Sequence, residues 1–327
     1  MAKLVIQIPC LNEAATLPET IADLPREIPG IDTIELLVID DGSTDSTADV
    51  ARAQGVHHII RFRNHKGLAA AFMAGLDAAV RAGADYIVNT DADNQYAGAD
   101  IPKLVQPLLD RTADVVIGDR NIREIRHMPL LRRWLQRIGS WVVRQVSDTR
   151  IPDTTSGFRA YTREAALRQT VVSDFSYTIE TIIQAGKKRM AIAHVEVATN
   201  RKTRPSRLFD STFTYIQKST ATILRIYTQY EPLKVFSVAG AVIFAVGFAI
   251  SVRFLFYYFE VGGGGRVQSL ILAAVLMIVG FQVVLIGLVA DVIAANRKLT
   301  EELLYRVRSL ELSSARGSVP ADDGVGK

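Results

Sequence analysis

Two aspartates one residue apart, Asp91 and Asp93, stand just beyond the apolar run Tyr86-Ile87-Val88-Asn89. That run is rich in β-formers, follows Gly83 and Asp85, and predicts a buried strand. Ligands of open α/β sheets collect beyond the carboxyl ends of strands, so chemistry is expected at this pair. Carboxylates are hard oxygen ligands and suit Mg2+ or Mn2+ rather than zinc. Gln95 adds a neutral oxygen two residues further on. Because Mg2+ is usually held between one or two carboxylates and substrate phosphates, the stretch predicts a site that handles a diphosphate. An isolated D-x-D is more often a solvated acidic turn, so the flanking chain decides.

The elements that must position this pair alternate. Lys3 to Ile8 predicts a strand stopped by Pro9, followed by a helix that Asn12 would cap, with Leu17, Ile21 and Leu24 on one face. Glu35 to Ile39 predicts a second strand, ending in the turn Asp40-Asp41-Gly42-Ser43-Thr44-Asp45 and a helix up to Gly55. Ile59 to Phe62 is a short third strand. Asn64-His65-Lys66-Gly67 then opens a helix carrying Leu68, Phe72, Leu76 and Val80, with Gly83 as its stop. After the aspartates come a helix over Ile101 to Leu109 and a strand at Val115 to Ile117. Alternation of this kind implies an α/β domain with a parallel, doubly wound sheet. Asp153-Thr154-Thr155-Ser156-Gly157-Phe158-Arg159 has the composition of a loop and is followed by helices and a strand near Ala191 to Ala198.

Charge and hydropathy add a second theme. The chain has 327 residues, a net charge of +4 and a single cysteine, Cys10, so no disulfide can form within it. Its mean hydropathy, +0.17, is high for a soluble protein of this size. Met1 leads directly into a strand, so no signal peptide is expected. Eight arginines between Arg120 and Arg150 face only Glu124 and Asp148, which suits an anionic surface or ligand. No nucleic-acid-binding motif accompanies them, so nucleic acid is not expected as a partner. Trp134, Ile138, Trp141 and Val142 lie near helical spacing among these arginines and fit an amphipathic helix or a core helix equally. Asn200 to Arg207 carries Arg201, Lys202, Arg204 and Arg207 and no acid.

Two uncharged runs follow, Val235 to Val252 and Leu270 to Ala290. About 20 apolar residues span a bilayer as a helix, and the glycines 262 to 265 make the connection short, so a transmembrane hairpin is expected. The expected division is a catalytic domain over 1–205, amphipathic juxtamembrane helices over 206–232, and the hairpin over 233–292 (spans at about 235–258 and 269–290). A helix over 293–312, with Leu303, Val307 and Leu310 as a stripe for self-association, and a disordered tail over 313–327 complete it. Lys218, Arg225 and Lys234 precede the spans and Arg297, Lys298, Arg306 and Arg308 follow them. This places the N-terminal domain and both termini in the cytoplasm, on the inner membrane.

Read together, these segments resemble the family 2 glycosyltransferases of the GT-A nucleotide-sugar-binding fold, and within them the polyprenyl-phosphate glycosyltransferases. The resemblance rests on Ile8-Pro9-Cys10-Leu11-Asn12-Glu13, Asp40 to Asp45, Asn64 to Leu68, Asp91 to Gln95, Ile117 to Arg120, Asp153 to Arg159 and Ser206-Arg207, in that order ahead of the two spans. It implies a mostly parallel sheet, Mg2+ or Mn2+ as cofactor, a nucleotide sugar and a polyprenyl phosphate lipid as substrates, a membrane location and a homo-oligomer. It further implies that Pro9, Leu11, Glu13, Asp41, Asp91 and Ala92 line the nucleotide and that Asp91, Asp93 and Gln95 hold the metal. Lys66, Arg159, Arg201, Ser206 and Arg207 would meet phosphate or acceptor, with Asp93, Asp153 and Arg120 at the chemistry. Leu11 stands where an aromatic often stacks on the base, and Arg207 where a lysine is common.

The chemistry agrees. A phosphate nucleophile, with a second pKa near 6, needs little deprotonation, so no histidine base is required. What the enzyme must supply is stabilisation of the leaving group and alignment of two anions. The expected activity is transfer from a nucleotide diphosphate sugar, uridine favoured over guanosine, to a polyprenyl phosphate with inversion. A processive polysaccharide synthase is the rival enzyme, but Leu130 replaces the glutamine of its Gln-x-x-Arg-Trp motif ahead of Arg133-Trp134. A non-catalytic membrane nucleotide-sugar binder is the other alternative.

Overall fold

Lys3–Cys10 forms β1, and every residue after the first is buried. Leu4, Ile6 and Ile8 on one face and Val5 on the other are fully enclosed, as a central strand covered on both sides demands. β1 pairs in parallel with β2 (Thr33–Asp40) on one side and β4 (Tyr86–Asn89) on the other. β3 (His58–Arg61) lies outside β2. Beyond β4 come β6 (Arg159–Thr162), β5 (Val115–Asp119) and β7 (Ile192–Glu196), so the sheet order is β3-β2-β1-β4-β6-β5-β7. The computed structural model describes residues 1–120, 151–171, 177–200, 227–261 and 267–317, together with 141, 143, 144, 147–149, 221, 224 and 225.

Two features of the sheet depart from the sequence expectation. Pro9 does not stop β1, which continues to Cys10 with Pro9 opposite Ile39. Gln7 O accepts from Thr90 N–H on the β4 side and Cys10 O from Asp41 N–H on the β2 side. Alternate residues address opposite neighbours, so the N–H that Pro9 lacks would point past the end of β4, where there is no ladder to break. The second departure is β6, which lies within a stretch read as loop and helix and runs antiparallel to both β4 and β5. Arg159-Ala160-Tyr161-Thr162 is too short and too polar at its start to announce itself, and its ladder comes entirely from its neighbours.

Helices α1 (Leu17–Asp23), α2 (Thr47–Ala53), α3 (Leu68–Arg81), α4 (Ile101–Leu109), α5 (Arg163–Arg168) and α6 (Tyr177–Lys187) accompany this sheet. On α3 the expected stripe of Phe72, Leu76 and Val80 is buried. Asn12 does not cap α1, which starts five residues later. Its backbone is left-handed (φ 55°), and its Oδ1 accepts from Thr44 N–H at 2.8 Å while its own N–H donates to Ser43 Oγ. The side chain is thereby spent on tying the β1–α1 loop to the β2–α2 loop.

The chain divides into two units, residues 1–223 with 305–327, and residues 224–304. The second unit holds α7 (Pro232–Val261) and most of α8 (Val267–Gly317). Both helices are long and apolar enough to cross a membrane, and in their most apolar windows only 11% and 17% of residues are buried. Exposed apolar surface on that scale belongs in lipid, not water. The two helices pair closely: a Cβ on Gly240 would stand 2.6 Å from Gly280 O, and one on Gly287 would stand 2.8 Å from Phe236 Cβ.

α8 continues unbroken where the sequence reading placed a span end near 290, a separate helix over 293–312 and a disordered tail from 313. Residues 291–300 contain neither glycine nor proline, so nothing interrupts the helix. Its last turns belong to the first unit. There Arg308 Nη1 donates to the carbonyls of Leu167 and Gln169 at the end of α5, and Arg168 lies over the Tyr305 ring. Expectations about 121–140, 201–220 and the glycine-rich connection at 262–265 lie outside the described residues.

Candidate active site

Strand register gathers the site. Asn89 of β4 pairs with Arg159 of antiparallel β6, so the segment leaving β4 (Thr90, Asp91) and the segment entering β6 (Asp153 to Phe158) emerge at one edge. β5 pairs Ile117 with Arg159 and delivers Arg120 to that edge. β7, parallel to β5, ends there as well, with Tyr96 bridged to Thr199 and Asn200 N–H donating to Gln95 O at 2.9 Å. The carboxyl ends of parallel β1, β2 and β3 supply residues 9–13, 40–45 and 62–67 along the same edge.

Asp91 and Asp93 face this gathering. Burial, and then the charge of Asp93, push the Asp91 carboxyl up to about 7, against the opposing pull of Arg120 and Arg159. A carboxyl group whose ionisation is disfavoured by burial and a neighbouring carboxylate makes a place for a cation, and hard oxygens fit a divalent one. Among the described residues no cluster of three or more His, Cys, Asp or Glu could hold a metal by itself. Any ion here would take its remaining ligands from substrate or water. Gln95, expected as a third ligand, lies against Asp93. Asn94 adopts φ 52°, folding the chain so that Gln95 N–H and Nε2 donate to Asp93 at 3.2 and 2.7 Å.

Arg120 and Asp153 form a clamp. Nε and Nη2 of Arg120 donate to the two Asp153 oxygens at 2.7 and 3.1 Å, and Nη2 also donates to Thr155 Oγ1 at 2.9 Å. Burial of Asp153, which is 1% exposed, would raise its carboxyl. The facing guanidinium and the Thr155 bonds outweigh burial, and the group ends below the usual carboxylate range. An acid held ionised in this way is a poor proton acceptor, so the geometry makes Asp153 the positioner of Arg120. Nη1 of Arg120 bonds to none of the described residues, and the side chain is 24% exposed.

Arg159, expected at the acceptor, is fully buried. It donates to Ser156 O at 2.7 Å, Thr154 O at 3.2 Å and Thr181 Oγ1 at 2.6 Å. Its fork shapes the 153–158 loop from beneath, because β6 points the side chain into the core.

The nucleotide-side residues divide similarly. Asp41, nearly buried, accepts from Lys66 N–H at 2.7 Å and Gly67 N–H at 2.9 Å, and faces His65 Nδ1 at 2.8 Å. Both of its oxygens thus anchor the β3–α3 loop, where the resemblance implied a bond to the base. Glu13 is buried, its Oε2 accepting from Thr16 Oγ1 at 2.7 Å. Pro9 lies within β1, Leu11 is half-buried, and Ala92 is buried with its carbonyl accepting from Thr20 Oγ1. Lys66 is exposed, its ammonium 4.7 Å from the Phe62 ring centroid. Arg201, Ser206 and Arg207 lie outside the described residues.

Sequence reasoning missed the support beneath the site. Asn89 Nδ2 donates to Gly157 O and Tyr177 Oη, and its Oδ1 accepts from Gln7 Nε2, all within 3.0 Å. Tyr96 Oη accepts from Gly157 N–H at 3.0 Å, and its ring stacks on Phe158. The available signal was two amides, Gln7 and Asn89, inside otherwise apolar strands. Buried polar groups require partners, and these two find each other across β1 and β4.

A mostly parallel sheet with a carboxylate pair and a half-buried arginine along one edge is the arrangement of a GT-A nucleotide-sugar-binding domain. Its solved likenesses include glucosyl-3-phosphoglycerate synthase from Mycobacterium tuberculosis, in complex with Mn2+, UDP-glucose and phosphoglyceric acid. The TM-score is 0.56 at 24% identity, covering 69% of this chain and 80% of that one. Residues 5–168 match glycosyl transferase family 2, and the chain belongs to that family of glycosyltransferases. Glycosyltransferase AglJ of Haloferax volcanii is 28% identical over 94% of this chain and 97% of its own length. The undecaprenyl-phosphate mannosyltransferase of Micrococcus luteus is 32% identical over 47% of this chain and 64% of its own.

Proposed function

We propose that this protein moves a sugar from a nucleoside diphosphate sugar to the phosphate of a polyprenyl phosphate, inverting the anomeric centre. The observation that carries the reading is the Arg120–Asp153 clamp. It holds a cation ready for an anion and leaves its carboxylate a poor general base. A sugar hydroxyl would need a positioned base, whereas a phosphate arrives already ionised. The two bilayer-length helices suit a lipid acceptor, and the Micrococcus relative is named for one. Uridine is favoured as the base, supported by the UDP-glucose in glucosyl-3-phosphoglycerate synthase.

Asp91 and Asp93 would hold a divalent cation, Mg2+ or Mn2+, which when bound neutralises the departing diphosphate. Arg120 Nη1 meets a phosphate oxygen, and Lys66 adds charge from the β3–α3 loop. Arg201, Ser206 and Arg207 are assigned to the acceptor phosphate by sequence position. The basic residues flanking both spans support a cytoplasmic catalytic unit.

The test offers labelled UDP- and GDP-sugars with undecaprenyl phosphate to the purified full-length protein, followed by mass spectrometry and NMR of the lipid extract. One sugar on one phosphate, with inversion, is expected. EDTA should abolish product, and Mg2+ or Mn2+ should restore it. A diphosphate-linked lipid or a growing glycan would overturn the reading.

A further inference from the structure

The last turns of α8, which lie in the first unit, pack where α5 gives way to α6. Arg308 Nη1 donates to Leu167 O and Gln169 O, both at 3.2 Å, and Lys188 Nζ donates to Arg168 O at 2.6 Å. Two cations thus satisfy three successive carbonyls at the C-terminal end of α5, where backbone acceptors are left over and negative charge collects. The Arg168 guanidinium stands 4.2 Å from the Tyr305 ring centroid, and Arg81 of α3 meets Glu311 at 3.3 Å. Both members of the Arg81–Glu311 pair are more than half exposed, so that pair adds little. Arg308 and Tyr305 carry the docking.

The corner they cover does not hold itself shut. Gln169 is fully buried, yet neither its Oε1 nor its Nε2 meets a hydrogen-bond partner among the described residues. A carboxamide buried in this way opposes closure, because opening the corner would let water reach it. Contact from outside α5 must resist that pull, and Arg308 supplies it. A corner so balanced can rest open or closed, which is what coupling between distant parts requires.

From the corner, bonds run to the catalytic edge. Thr170 N–H donates to Gln184 Oε1 at 3.1 Å, and Thr170 O accepts from Gln184 Nε2. Gln184 belongs to α6, whose residues from Tyr177 to Ala185 are all buried, so the close-packed helix can shift only as a body. One turn earlier Thr181 Oγ1 accepts from Arg159, which in turn holds Ser156 O and Thr154 O. At the start of α6, Tyr177 Oη accepts from Asn89 Nδ2 at 3.0 Å and donates to Gly157 O at 3.4 Å. The 153–158 loop fixed by these bonds carries Asp153, the partner of Arg120.

We propose that Arg308 is a positioning residue: by closing the α5–α6 corner it fixes α6, and through α6 the loop that aims Arg120. The helix that carries the second apolar span thus ends as a brace for the catalytic edge. This coupling rests on the reading of Arg120 and the 153–158 loop as catalytic, and it holds whatever the acceptor.

The test compares full-length Arg308→Met with the unchanged protein in detergent micelles, by amide hydrogen exchange without substrate and by steady-state kinetics. Exchange should rise in 153–158 and 170–184 as well as in 305–312, while β1 and β2 keep their protection. The kcat should fall about tenfold, the scale expected of a misplaced reacting group, with donor KM little changed. Arg308→Lys, whose ammonium can serve both carbonyls, should keep most of the activity. Adding Gln169→Met, which removes the buried carboxamide at similar volume, should return protection and much of the kcat to Arg308→Met. Tyr305→Leu should show the same pattern more weakly, and it stands in if Arg308→Met does not fold. Faster exchange confined to 305–312, an unchanged kcat, or a double variant no better than the single one would each overturn the coupling. An unchanged protein that transfers no sugar would instead refute the proposed activity, and the exchange data would still decide the corner.

Discussion

At the residue scale the site is governed by which charges are already paired. Asp153 is buried and answered by Arg120, so its carboxyl titrates below the ordinary range. A group with a depressed folded pKa contributes stability above its unfolded pKa and loses it as pH falls through the folded value. Removing the cation reverses the sign: with only the Thr155 bonds left to oppose burial the pKa rises, and the ionised form becomes a burden at neutral pH. Arg120→Met should therefore cost on the order of 3–5 kcal/mol at pH 7, the usual effect of orphaning a buried charge. The deficit should shrink as pH falls toward about 4, near the unfolded pKa of aspartate, where the stranded carboxyl takes up a proton. Denaturant melts of both proteins across that range check it, and a pH-independent gap would contradict it. Arg159 has the same charge and an opposite use, since its described bonds go to neutral oxygens, two in the 153–158 loop and one on Thr181 of α6.

At the scale of elements, β6 decides the site although it has four residues. It threads between β4 and β5, and its antiparallel direction turns the 153–158 loop back against the carboxylate pair. The approach is close enough to dictate a residue type. A Cβ on Gly157 would lie 2.8 Å from Tyr177 Oη and 3.2 Å from Asp91 Oδ1, with Tyr177 stacked on Phe72 and unable to retreat. Gly157→Ala should push the loop, and Arg120 with it, away from Asp91. A displacement of that kind is expected to reduce kcat/KM by a factor of ten or more, and the clash to cost about 1–3 kcal/mol. Steady-state kinetics alongside a thermal melt would test this, and an alanine variant with wild-type kinetics would show that the loop has room.

At the scale of the molecule, a sugar-transfer fold is joined to two helices whose apolar surface needs lipid. Basic residues flank both spans on the same side, so the catalytic unit and the far end of α8 are expected in the cytoplasm. Cysteine at Gln268, before the second span, should react with a membrane-impermeant maleimide in intact cells. Cysteine at Lys298, after the span, should react only once the membrane is opened. Labelling of Lys298→Cys in intact cells would invert the assignment.

The sequence by itself determined the strands buried on both faces, the stripe of α3, the two lipid-length helices and the position of Asp91-x-Asp93. Each is written in local periodicity or composition, which a single segment can display. Only the tertiary structure decided what the site residues do. Pro9 continues a strand because β4 has ended beside it, and a four-residue β6 exists because two neighbours complete its ladder. Asp41 anchors a loop that lies 25 positions along the chain, through Lys66, and Asp153 is sealed by an arginine 33 positions away. Whether a carboxylate acts as ligand, base or anchor depends on which partners the fold brings to it. Those partners come from other strands, so no local pattern records them.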